Sequence, residues 1–258
     1  MNKIPPPSEI FRLTKKLYSF IKFKIRFCFK EKKFKKRLKY IFEDNGSDKL
    51  IIVFSGITKR VPKYNYIRTL KGAKIDKLFL LDDFGNRGSY HWYENGKDLP
   101  LVLTNGIIEK IKNRKQYKEV MTAGSSKGGT CALYFGLEHN VTAIFAGACQ
   151  YYVGSYLNTP KGRDVLEGIM GINANEDDVK LLDSIMPNHL KKHAHSNSLV
   201  HLCYSKEEHT YKEHIKDLIS DLELNEIQYV EQIDSYTDHM DNGIYYSRYL
   251  KKYFGITT

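Results

Sequence analysis

The chain has 258 residues, 41% hydrophobic and 28% charged, which suits one large α/β domain and excludes disorder throughout. Its net charge of +11 resembles a nucleic-acid signal until it is located: residues 1–40 hold fourteen Lys/Arg and two Glu, whereas the rest hold 27 basic and 28 acidic side chains. The basicity belongs to an N-terminal appendage, so a body-wide phosphate-binding field, and with it a nucleic-acid partner, is not expected.

In chain order, residues 10–42 place Leu13, Leu17, Phe20, Ile21, Ile25 and Cys28 on one helical face among Lys and Arg. The pattern predicts a basic amphipathic helix in an extension over residues 1–45, able to rest on an anionic membrane surface through residues 10–40. The alternative is a helix packed on its own domain. Lys22, Lys24 and Arg26 interrupt any secretory signal core. No apolar run reaches the roughly eighteen residues that read as a membrane span. The expected location is therefore the cytoplasm, with peripheral attachment at the inner face of the plasma membrane as the finer reading. Cys28, Cys131, Cys149 and Cys203 show no CxxC spacing and no histidine at zinc intervals, so no metal site is expected.

From residue 46 to 258 strands and helices alternate. Strands are expected at Leu50–Phe54, Lys77–Leu81, Glu119–Ala123, Val141–Phe145, Leu199–Tyr204 and Ile227–Ile233. Helices are expected at Leu101–Arg114, Lys127–Leu137, within 160–192, at Tyr211–Leu222 and at Asn242–Phe254. Repeated β-then-α order implies a mostly parallel sheet with helices on both faces.

The string Gly124-Ser125-Ser126-Lys127-Gly128-Gly129 lies between a strand and a helix, the context a nucleophile elbow requires. Ser126 is the candidate nucleophile, and glycines two before and two after it allow the backbones to approach. The Lys127 N–H at the helix start is a candidate oxyanion donor, with the N–H of Gly56 or Ile57 after the first strand as the second. The alternative is an anion-binding helix start, but a Walker loop would need its Lys after the second glycine. A serine needs a base, itself oriented by a carboxylate. Of nine histidines, His239 lies between the last strand and the last helix, where chain order places the base; His209 competes with it. The acid is expected in Ser205-Lys206-Glu207-Glu208, with Glu208 ahead of Glu207, and Asp234 or Asp238 as alternatives.

Phe54-Ser55-Gly56, Tyr64-Asn65-Tyr66-Ile67, Leu81-Asp82-Asp83-Phe84-Gly85-Asn86-Arg87-Gly88, the Gly-Ser-Ser-Lys-Gly-Gly string and Ala148-x-Gln150 together resemble the XcbB/CpsF-type capsular polysaccharide biosynthesis family. More distantly they resemble the meningococcal serogroup A capsule O-acetyltransferase. The resemblance covers residues 48–255. It implies an α/β-hydrolase-like fold and a triad that maps onto Ser126, His239 and Glu208. It also implies acetyl transfer from acetyl-CoA, as co-substrate and not bound cofactor, to a polysaccharide hydroxyl. Aspartate has become glutamate at 208, and Met240 is inserted after the histidine. A carbohydrate esterase with the same triad and a non-catalytic capsule-assembly protein are the alternatives. Arg68, Asp83 and Arg87, with the Lys127 side chain, are candidate substrate contacts.

Overall fold

The computed structural model describes residues 30–58 and 61–256. Its frame is an eight-stranded sheet: β1 (Glu31–Phe34), β2 (Leu38–Glu43), β3 (Lys49–Phe54), β4 (Asp76–Leu81), β5 (Glu119–Ser125), β6 (Ala143–Gly147), β7 (Leu199–Ser205) and β8 (Tyr229–Asp234). The strands lie in the order β1-β2-β4-β3-β5-β6-β7-β8. All neighbours from β4 to β8 are parallel, and β1 and β2 add antiparallel at one edge. The architecture is the α/β-hydrolase-like one expected.

Strand β3 shows why its apolar run is continuous. Leu50, Ile52 and Phe54 point into one buried cluster, and Ile51 and Val53 point into another on the opposite face. A strand covered on both sides has no solvent face on which to place polar residues. The first cluster packs under helices α1 (Leu99–Lys112), α2 (Lys127–Glu138), α3 (Val153–Leu157), α4 (Arg163–Met170), α5 (Glu176–Lys192) and α6 (Lys216–Leu224). The second packs under Ile67–Ile75 and helix α7 (Asn242–Tyr253), through Tyr246 and Leu250.

Residues 31–43 correct the sequence reading. They are not part of a helical extension ending at residue 45 but a hairpin inside the sheet, with Leu38 and Ile41 fully buried. Its turn carries Lys35 and Lys36 at φ 44° and 63°, closed by Arg37 N–H donating to the Phe34 carbonyl at 3.0 Å. Residues 10–29 of the predicted helix lie outside the described residues. Among the described residues no helix is long and apolar enough to cross a membrane.

Candidate active site

Parallel strands present their carboxyl ends on one edge, and the site is assembled there from the loops after β5, β7 and β8. Ser126 joins β5 to α2 at φ 54° and ψ −129°, a left-handed conformation uncommon for a residue with a Cβ. Its own N–H donates to the Gly147 carbonyl at 2.7 Å, which pins the bend to β6. A Cβ on Gly124 would fall 2.1 Å from the Gly128 carbonyl oxygen, and one on Gly128 would fall 2.7 Å from that of Phe54. Both positions flanking the serine therefore require glycine.

His239 opens a short 3₁₀ turn, His239–Asp241, between β8 and α7. Its Nε2 lies 2.9 Å from Ser126 Oγ and its Nδ1 lies 3.0 Å from Glu208 Oε1. Met240 is absorbed by that turn: its N–H donates to Asp238 Oδ1 at 2.9 Å and its side chain is exposed. Glu208 follows β7 and is buried, with Oε2 accepting from the Thr210 hydroxyl. Burial pushes the Glu208 carboxyl up, but hydrogen bonds from His239 and Thr210 outweigh it and hold the group below its ordinary value. The remaining acids are placed elsewhere. Glu207 accepts from Ser235 Oγ at 2.9 Å, and Asp238 caps the turn. Burial raises Asp234, which accepts from Gln232. His209 does not face the serine but shares the acid, its Nε2 being 3.1 Å from Glu208 Oε1.

The oxyanion candidates separate. Lys127 is the first residue of α2, and the first N–H groups of a helix have no intrahelical acceptor. Gly56 is corrected: its N–H donates to Asn65 Oδ1 at 3.0 Å and is spent. Ile57 remains at the end of β3, half-buried against the core.

The Lys127 side chain does not reach toward a substrate. It is fully buried, with Nζ 2.5 Å from Asp82 Oδ2. Burial alone would raise the Asp82 carboxyl, but the Lys127 ammonium and the Ser89 N–H hold it well below the carboxylate range. Asp83 is likewise occupied, by Arg37 at 3.1 Å and Lys39 at 2.7 Å. Arg87 is committed to Asp164 at 2.7 and 2.5 Å and to the Lys161 carbonyl at 2.7 Å. Arg68 lines a cleft of about 350 Å³ with Tyr64, Tyr66, Gly243 and Ser247. That cleft adjoins the elbow, because the Tyr66 hydroxyl meets Ser125 Oγ.

Two carboxylate–histidine groups among the described residues have ligand spacing: Glu208, His209 and His239 at the site, and Glu138, His189 and His193 away from it. In the second, Lys192 already supplies a cation, 2.9 Å from Glu138. Gln150 was not anticipated in any role at the serine: its Nε2 donates to Ser126 Oγ at 3.0 Å. Its signal was the Ala148-x-Gln150 motif just past β6.

No protein-family model and no curated protein sequence matches the chain. Solved structures do. The capsule O-acetyltransferase of Neisseria meningitidis serogroup A, in complex with caged gadolinium, aligns with TM-score 0.76 at 22% identity, covering 87% of this chain and 93% of that one. A point mutant of the same enzyme in complex with CoA aligns with TM-score 0.73 at 22% identity, covering 87% and 94%. A fluorophosphonate-binding serine hydrolase of Staphylococcus aureus aligns with TM-score 0.56 at 14% identity, covering 86% and 92%. At these identities the likeness is one of fold.

Proposed function

We propose that the chain is a serine acyltransferase that O-acetylates a glycan hydroxyl in capsular or surface polysaccharide biosynthesis, through an acyl-enzyme on Ser126. The observation that carries this reading is the continuous path from Ser126 Oγ through His239 to the buried Glu208. Its support in the fold is the likeness to a capsule O-acetyltransferase, one form of which is complexed with CoA.

In the first half-reaction His239 Nε2 takes the Ser126 proton as Oγ attacks the thioester carbonyl of acetyl-CoA. The C–S bond then breaks, and His239 returns the proton to the departing sulfur. In the second, His239 deprotonates a sugar hydroxyl, which attacks the acetyl carbon, and Ser126 Oγ leaves with the proton. Glu208 fixes the imidazole tautomer and stabilises the imidazolium at each stage. The Lys127 N–H, with that of Ile57, meets the developing oxyanion. Arg68, which lines the cleft beside the elbow, is a candidate for contact with an anionic donor or acceptor.

The working location is the cytoplasmic face of a membrane. Lys32, Lys33, Lys35 and Lys36 are exposed on the β1–β2 hairpin and suit an anionic surface, whereas Arg37 and Lys39 are spent on Asp83. An esterase would use the same three residues, and the likeness to a serine hydrolase favours it as the second reading. Incubation with acetyl-labelled CoA and de-O-acetylated capsular glycan separates the two. The transferase reading expects label in the glycan, lost in Ser126→Ala. Label recovered only as free acetate would support the esterase, and no Ser126-dependent release at all would leave a non-catalytic assembly role.

A further inference from the structure

Gln150 is buried beside the serine and the triad has no use for it. Its main chain is held twice by Thr130 in the first turn of α2: its N–H donates to Thr130 Oγ1 at 2.9 Å, and its carbonyl accepts from the same hydroxyl at 2.8 Å. The approach from β6 passes through Ala148 at φ 35°, a strained value for a residue with a Cβ. Its side-chain orientation is also determined. Tyr90 OH donates to Oε1 at 3.3 Å, and burial holds that phenol protonated, well above its ordinary range. Nε2 is thereby left to face Ser126 Oγ. The reverse orientation would set Oε1 against the serine's lone pairs, because the Oγ proton is directed to His239 Nε2.

We infer that the Gln150 side-chain amide is an oxyanion donor, supplying from β6 what the Gly56 N–H, taken by Asn65, does not supply from β3. The inference rests on the acyl-transfer reading above. When Oγ bonds to the substrate carbonyl carbon, the carbonyl oxygen stands two bonds from Oγ. A donor already in contact with Oγ then transfers its hydrogen bond to the new anion with little movement. A preorganised donor of this kind contributes about 10²–10³ in kcat.

The test is hydrolysis of p-nitrophenyl acetate by the full chain carrying Gln150→Ala, Gln150→Glu or Ser126→Ala, with melting curves to confirm folding. Gln150→Ala is expected to lower kcat about 10²–10³-fold with KM nearly unchanged. Gln150→Glu is expected to be worse near pH 8, where a carboxylate faces the oxyanion. Its rate relative to wild type should climb as pH falls and the buried carboxyl regains a proton to donate. The Gln150→Ala ratio should stay flat across the same range. A residue that only packs the turn would give two flat ratios, and that result overturns the inference even if one variant is poorly folded. Wild-type turnover that depends on Ser126, with Gln150→Ala within threefold of it, overturns the inference alone. Turnover equal in wild type and Ser126→Ala overturns the acyl-transfer reading and this inference with it.

Discussion

Two acid–base pairs flank the elbow, one sealed beneath it and one open above it. Below, Lys127 and Asp82 are both wholly buried, 2.5 Å apart, and Asp82 also accepts from the Ser89 N–H at 2.8 Å and the Ser89 hydroxyl at 3.2 Å. Above, Glu208 is just as buried, but its partner His239 keeps 18% of its side chain exposed and faces Ser126. The residue types alone do not separate the pairs. Enclosure does: a charge locked on both sides is a clamp between the end of β4 and the start of α2, whereas one with an open neighbour can pass a proton.

Breaking the upper pair should affect chemistry and leave folding alone. Removing His239 as His239→Ala is expected to lower kcat about 10⁶-fold, and Glu208→Gln about 10⁴-fold, in single-turnover assays, with melting temperatures close to wild type. Glu208 is expected to stay ionised below the ordinary glutamate range, so acid loss of activity should not begin at its usual pKa. A wild-type pH–rate profile whose acid limb is centred on the ordinary glutamate value would contradict that view.

Breaking the lower pair should do the reverse. Asp82→Asn strands a buried ammonium and is expected to cost about 3–5 kcal/mol in urea unfolding, with kcat per folded molecule nearly unchanged. Because the folded Asp82 pKa is depressed, its contribution is present above the unfolded value of 3.8 and is lost as pH falls from there through the folded value. The stability gap between wild type and Asp82→Asn should therefore narrow below pH 3.8. The smallest effect is expected at the part-exposed Arg37–Asp83 pair, where Arg37→Gln should cost no more than about 1 kcal/mol.

The same contrast explains what was legible beforehand. Glycine spacing singled out Ser126, and places after the last strand and after β7 singled out His239 and Glu208; the structure brings these three within hydrogen-bonding reach. The parallel strands announced themselves as apolar runs. The hairpin at 31–43 did not, since its turn carries Lys35 and Lys36 where Asn-Gly would be the usual mark, and the exposed lysines of β1 read equally as a helix face. Lys127 and Asp83 read as substrate contacts because charge in a sequence carries no record of burial; their partners lie 45 and 46 residues away along the chain. Gly56 was misread for a related reason. Asn65 reaches back nine residues to take its N–H, and no local pattern marks such a bond. Gln150 stood within a recognised motif, but the orientation of its amide depends on Tyr90, sixty residues earlier.

The central claim is a covalent one, and intact-protein mass spectrometry tests it most directly. After brief exposure to acetyl-CoA and an acid quench, wild type should carry one added acetyl group. Glu208→Gln should gain it more slowly, and Ser126→Ala should gain none. An acetyl group retained by Ser126→Ala, or absent from wild type while His239→Ala behaves identically, would contradict the account.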